Sequence, residues 1–182
     1  MQKPLLFFAG VLMTASLAFA GQNLSSKKVM VAPDECRFRA HEWQVDVSVA
    51  GRTGMINSHS GYEGIGGNLG ISYFFTKYLG VGIDNSVGGG FLTGKPSTAY
   101  DQFQADLLVR YPICAFNFTP YIMIGGGSSW AVVTQGNGNL GGGLEYRFTP
   151  NVGLFADCRW LYGTDRGVLS EALPRVGIRF AF

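Results

Sequence analysis

From Trp43 to the end of the chain, large apolar residues alternate with small or polar ones, the two-residue period of a strand whose faces meet different surroundings. Eight such segments can be counted. The first, about 43–52, sets Trp43, Val45, Val47 and Val49 against Gln44, Asp46, Ser48 and Ala50. The second (about 64–76) opposes Leu69, Ile71, Tyr73 and Phe75 to Asn68, Gly70, Ser72 and Phe74, and the third (about 79–90) opposes Leu79, Val81 and Ile83 to Gly80, Gly82 and Asp84. In the fourth (about 99–111), Phe103, Ala105, Leu107, Val109 and Tyr111 face away from Gln102, Gln104, Asp106 and Arg110. The fifth (about 119–131) is apolar on both faces at Tyr121-Ile122-Met123-Ile124, so its phase stays open. The sixth (about 137–148) opposes Leu140, Leu144 and Tyr146 to Asn139, Glu145 and Arg147. The seventh (about 152–163) opposes Leu154, Cys158 and Trp160 to Asp157 and Arg159, and the eighth (about 172–182) opposes Val176, Ile178 and Phe180 to Arg175, Gly177 and Arg179.

Strands of about 9 to 13 residues exceed the soluble mode of about 5 to 6 and match the roughly 9 to 11 that cross a bilayer at a tilt. An open sheet edge in lipid would leave backbone groups unpaired, so the predicted fold is all-β, a closed antiparallel transmembrane β-barrel of about eight strands. The connections Thr76-Lys77-Tyr78 and Thr149-Pro150-Asn151 are short, whereas 52–63, 89–98 and 164–171 are longer and rich in Gly and polar residues. Short turns belong on the periplasmic side with both termini, and long loops outside. Two connections depart from this scheme: that near Thr134–Gly136 is short for an external loop, and Pro112–Phe118 is long for a periplasmic turn. Aromatic residues gather toward the periplasmic ends (Trp43, Phe75, Tyr78, Tyr111, Phe118, Tyr121, Phe148, Phe180, Phe182) and again toward the outer ends (Tyr100, Phe103, Trp130, Trp160, Tyr162). Two such belts are expected where membrane meets water. The competing reading, a soluble sandwich or lipocalin-like barrel with these rings as core, would leave an outside too sparsely charged.

The chain's start and composition agree with export to a membrane. Lys3, an apolar run from Leu5 to Ala18 and the small-x-small Ala18-Phe19-Ala20 predict a signal peptide over 1–20. A periplasmic N-terminal segment over 21–42, read as a mobile tail, and a barrel over 43–182 would follow. Charged residues are 14% of the chain against a usual level of about 25%, and Gly is 27 of 182, so a water-facing surface would be short of charge. The net charge of +2 and the absence of a Lys/Arg cluster larger than Lys27-Lys28 argue against a nucleic-acid partner.

The final Val176-Gly177-Ile178-Arg179-Phe180-Ala181-Phe182 resembles the C-terminal signature by which outer-membrane barrels are recognised for assembly. With Thr119-Pro120-Tyr121 and Phe155-Ala156-Asp157-Cys158-Arg159-Trp160, it makes the chain from about 43 onward similar to the OmpA-like and OmpX-like small barrels. The resemblance implies an outer-membrane location, contact with outer-membrane lipid, passage through the barrel-assembly machinery with Gly177, Phe180 and Phe182 as the signal, and no catalytic residues. The peptidoglycan-binding domain that follows the barrel in full-length OmpA is not expected here.

Taking the polar faces as lumen, the interior carries Asp46, Asp84, Asp106, Glu145 and Asp157 with Arg110, Arg147, Arg159, Arg175 and Arg179, five acids and five bases. Balanced charge predicts paired side chains filling the barrel. A small porin-like channel along the same charges is the sharper alternative, set against an eight-strand interior just wide enough for side chains. His59, within Asn57-Ser58-His59-Ser60-Gly61-Tyr62-Glu63, is the candidate for a second alternative, a lipid A modifying enzyme that uses Ser, His and a carboxylate at the outer rim. Sequence neighbours alone do not make a triad. Two histidines support no metal site, and no cofactor is expected. Cys36 and Cys114 both fall on the oxidising periplasmic side, where a disulfide or two free thiols are the options, and Cys158 reads as a lipid-facing filler. The expected role is non-enzymatic, structural or surface-interacting, with a surface ligand the sequence does not name.

Overall fold

Alternation becomes a wall because each strand exchanges its backbone hydrogen bonds with both neighbours. In the computed structural model, which describes residues 36–54, 63–91, 99–130, 134–163 and 170–182, eight strands pair in chain order and close as β1-β2-β3-β4-β5-β6-β7-β8. They are β1 (Glu42–Gly54), β2 (Glu63–Phe74), β3 (Leu79–Phe91), β4 (Ala99–Arg110), β5 (Phe118–Trp130), β6 (Thr134–Arg147), β7 (Val152–Gly163) and β8 (Ser170–Ala181). Every pairing is antiparallel, including the seam between β1 and β8. The last residue completes that seam: Phe182 N–H donates to Trp43 O at 2.9 Å, and Trp43 N–H returns a bond to Phe182 O at 3.3 Å. The signal segment 1–20, the tail to residue 35 and the outer connections, His59 among them, lie outside the described residues.

The exterior is predominantly apolar, with the exposed pair Asn85–Asp101 toward the outer end as a polar exception. Val47 is 50% exposed, Ile122 60% and Leu140 53%, a degree of apolar exposure that water would not tolerate over a continuous surface and lipid favours. The phase of β5 is now decided. Thr119, Tyr121 and Met123 point inward and Ile122 and Ile124 outward, so the doubly apolar stretch is a lipid face backed by an apolar lumen layer of Phe74, Leu108, Tyr121 and Met123. β6 begins three residues earlier than its alternation indicates, because Thr134, Gln135 and Gly136 continue the ladder opposite Trp130, Ser129 and Ser128.

Two residues assigned from sequence to the interfacial belts belong to the lumen. Tyr121 is 6% exposed and donates its hydroxyl to Asp157 at 2.7 Å; Tyr100 is 3% exposed, with Arg52 stacked 5.1 Å from its ring centroid. Both lie on the inward phase of their strands, which overrides proximity to a strand end. Glycine makes room for such rings. A Cβ at Gly88 would come within 2.7 Å of the Tyr100 ring, and one at Gly80 within 2.8 Å of the Phe74 ring.

The segment before β1 is docked rather than mobile from Cys36 onward. Phe38 is 2% exposed, and Cys36 is disulfide-bonded to Cys114 across Cα atoms 4.9 Å apart. Cys114 lies in a 3-10 turn, Cys114–Phe116, that accounts for the length of this periplasmic connection. His41 adopts a left-handed φ of 54° and turns the docked segment into β1.

Candidate functional site

The inward positions of the strands stack charge in layers along the lumen. Nearest the periplasmic mouth, Glu42 accepts from Arg147 Nη2 at 2.6 Å and Arg147 Nη1 at 2.8 Å, from Arg110 Nη1 at 3.0 Å and from the Gln44 amide at 2.7 Å. Arg147 also donates Nε to Glu145 at 2.7 Å, and Arg179 bridges onward, giving Nη1 to Glu145 at 2.7 Å and a forked pair to Asp46 at 2.6 Å each. This layer holds three acids (Glu42, Asp46, Glu145) and three arginines (Arg110, Arg147, Arg179) in one connected chain.

Aromatic rings fill the space between the guanidinium planes. Arg110 lies 3.7 Å from the Phe74 centroid, Arg147 4.5 Å from Phe38, and Arg179 4.6 Å from Phe155. Arginine suits this place because its planar fork binds carboxylates by two bonds while its faces stack on rings. The docked segment closes the mouth with backbone contacts as well: Arg110 Nη2 donates to Arg39 O at 2.9 Å and Arg147 Nη1 to Arg37 O at 2.6 Å. Arg37 in turn donates to the carbonyls of Arg147 and Phe148, each at 2.6 Å.

The middle layer has a different charge balance. Arg159 donates to both Asp84 oxygens, at 3.1 and 2.7 Å, and to Asp106 at 2.6 Å. Arg175 forks onto Asp157 at 2.8 Å twice and approaches Asp84 at 3.2 Å. Three acids therefore share two arginines, with neutral donors completing the set: Asn139 to Asp106 at 2.8 Å, Asn68 to Asp84 at 3.0 Å and Tyr121 to Asp157. A cavity of about 20 Å³ lies among Asp46, Asp84, Asp106, Tyr121 and the arginines, room for about one water molecule. Farther out come an amide layer, in which Gln104 bonds Asn137 and Asn139, an apolar cluster of Ala50, Leu161 and Leu173 on the side made by β1, β7 and β8, and the pair Arg52–Glu171 at 2.6 Å.

All ten charged residues assigned to the lumen from sequence are buried there. The structure adds Glu42, Arg52 and Glu171, giving seven acids and six arginines among the described residues. Each continues the inward phase of its strand by one more step, Glu42 before Gln44, Arg52 after Ala50 and Glu171 before Leu173, and that period was the signal available in the sequence. Of the C-terminal residues, Gly177 sits half-buried against Ser48 of β1, while Phe180 and Phe182 face outward. Cys158 is exposed on the lipid face with a free thiol. Among the described residues, no group of His, Cys, Asp and Glu could hold a metal ion.

The geometry is matched by solved structures. The chain is similar to Neisserial surface protein A (NspA) at 18% identity and a TM-score of 0.59, covering 78% of this chain and 96% of that one. It has the fold of the small eight-stranded outer-membrane barrels. Ail, the attachment invasion locus protein of Yersinia pestis, superimposes with a TM-score of 0.56 at 16% identity over 79% of this chain and 99% of Ail. OprG from Pseudomonas aeruginosa gives 0.54 at 11% identity over 81% and 99%. No protein-family model and no curated protein matches the sequence.

Proposed function

We propose that this outer-membrane barrel is non-enzymatic, with a closed lumen that serves stability and an outer rim that meets surface ligands. The observation that carries the reading is the lumen itself. Its charges are engaged with one another in stacked layers, and rings, amides and a docked N-terminal segment occupy the space between them. Eight strands enclose an interior of side-chain width, so a filled lumen leaves chemistry and contact to the rim. Ail, one of the barrels sharing this fold, is named for attachment and has been crystallised with a heparin analogue. A contact role at the rim of this chain is the corresponding inference.

The competing reading is a lipid A modifying enzyme centred on His59. Mass spectrometry of lipid A from cells with and without the protein tests it. An unchanged lipid A profile is the expected result, and the same profile is expected for His59→Ala. A wild-type modification that disappears in His59→Ala would overturn the proposal.

A further inference from the structure

The register of the wall lays two rows of lipid-facing side chains next to each other. Trp43 pairs with Tyr73, Tyr73 with Val81, Val81 with Leu107 and Leu107 with Ile124. One step farther from the periplasmic mouth, Ile71 pairs with Ile83, Ile83 with Ala105 and Ala105 with Gly126. The second row thus drops from isoleucine to a methyl group and then to no side chain. Trp43, Tyr73, Ile83, Leu107 and Ile124 stand around Ala105, and a groove of about 480 Å³ results, with Gly82 and Gly125 also in its lining. The groove is shallow and open along its length, the shape that takes a chain lying on the wall rather than an enclosed molecule.

At its periplasmic end the groove becomes polar and cationic. A hydrogen bond of 3.0 Å joins His41 Nδ1 and the Tyr73 hydroxyl, and the Trp43 and Tyr73 rings meet with centroids 4.9 Å apart. Arg39, two residues before His41, has a side chain 47% exposed. Lys77 lies in the turn that follows β2, its ammonium 4.9 Å from the Tyr78 ring centroid. Arg39 approaches Glu42 at 3.6 Å, but Glu42 is already held by Arg110 and Arg147, so the charge of Arg39 is not cancelled. Among the described residues the acidic side chains at this end, Glu42, Asp46 and Glu145, are all buried and paired.

Arg110 donates to the carbonyls of both Lys77 and Arg39, at 2.9 Å each, which brings these two residues together at the mouth. An apolar groove in the wall, aromatic rings at the interface and an excess of positive charge beyond them describe the shape and charge of one molecule class. We propose that this face binds an anionic phospholipid of the periplasmic leaflet, an acyl chain lying in the groove and the phosphate beside Arg39 and Lys77. Each cation near the membrane surface enriches an anionic lipid by on the order of fivefold. A zwitterionic lipid brings its own ammonium toward the same two cations and gains less. The proposal rests on the transmembrane placement of the barrel.

Trp43 lines the groove and serves as the reporter. With Trp130→Phe and Trp160→Phe it becomes the sole indole, since the chain has three tryptophans. The full chain is reconstituted into phosphatidylcholine vesicles containing a minority of either phosphatidylglycerol or phosphatidylcholine brominated in its acyl chains, where contact quenches the indole. Quenching by the brominated anionic lipid should set in at a lower content than quenching by the zwitterionic one, by on the order of fivefold for each of the two cations. The difference should vanish in Arg39→Ala with Lys77→Ala, and shrink in Ala105→Leu, which fills the low point without changing charge. Equal quenching by the two lipids, or a preference that survives loss of both cations, overturns the site while leaving the barrel in its membrane. Absence of quenching by either lipid overturns the membrane placement as well.

Discussion

At the scale of single residues, what a lumen carboxylate contributes depends on whether its arginine has a second partner. Arg110 forms its ion pair with Glu42 alone and otherwise meets the carbonyls of Lys77 and Arg39. Removing the charge in Glu42→Ala therefore strands a buried guanidinium, and the unfolding free energy should fall by about 3 to 5 kcal/mol. Asp106 is the opposite case. Arg159 keeps both oxygens of Asp84 when Asp106 is neutralised, and the middle layer loses its surplus acid. Asp106→Asn retains an amide oxygen for Asn139 or Arg159 and should change stability by no more than about 1 kcal/mol in either direction. Denaturant unfolding of both variants in vesicles checks the contrast, and equal losses would contradict the layer-by-layer charge balance. The sequence made ten of these charges legible because each falls on the polar side of a two-residue alternation. It could not assign partners, since Arg52 finds Glu171 across 119 residues and Arg179 finds Asp46 across 133, distances that only barrel closure spans.

At the scale of elements, alternation is readable only where the two faces differ in polarity. β7 and β8 present charges inward and large apolar residues outward, and their phases follow directly from the sequence. β5 places Tyr121 and Met123 inward, so neither face declares itself, and its phase emerges only from pairing with β4 and β6. The docked segment was illegible for a related reason: Phe38 has no periodic neighbours, and its burial depends on the arginines of two distant strands. Phase can be tested by substitution. Leu144 is 49% exposed to lipid between the centre of β6 and the periplasmic belt of Tyr146 and Phe148, so Leu144→Arg should cost about 1 to 2 kcal/mol. At its inward neighbour Gly143, a Cβ would come within 2.6 Å of the Ala156 carbonyl, so Gly143→Ser should disturb the ladder with β7 rather than the lipid contact. The docked segment has its own test. Cys36→Ser releases the tether to Cys114, a cross-link spanning 78 positions, and should lower stability by about 2 to 4 kcal/mol. A reduced wild type should unfold at the same midpoint as Cys36→Ser if the cross-link is the whole of the effect.

At the scale of the whole molecule, the question is whether anything passes through the barrel. The periplasmic layer is sealed by Phe38 and by an unbroken run of ion pairs from Arg110 through Glu42, Arg147 and Glu145 to Arg179 and Asp46. The middle layer is sealed separately, by Arg159 spanning from Asp84 to Asp106 and by Arg175 on Asp157. Farther out, Ala50, Leu161 and Leu173 form an apolar cluster on the side of the lumen made by β1, β7 and β8, beside the buried pair Arg52–Glu171. The two charged layers act in series, and they are built from different strands. Removing one should therefore leave the other closed. Planar-bilayer recordings of the wild type are expected to show no stable, uniform openings, and deletion of Cys36 to Arg39 is expected to show none either, because the ion pairs of the middle layer do not rest on the docked segment. An ion path should require breaking two layers at once, for example the same deletion combined with Arg159→Ala. Long-lived openings in the wild type would overturn the closed lumen. Openings produced by the deletion alone would locate the whole barrier at the periplasmic mouth and reduce the inner layers to a structural part.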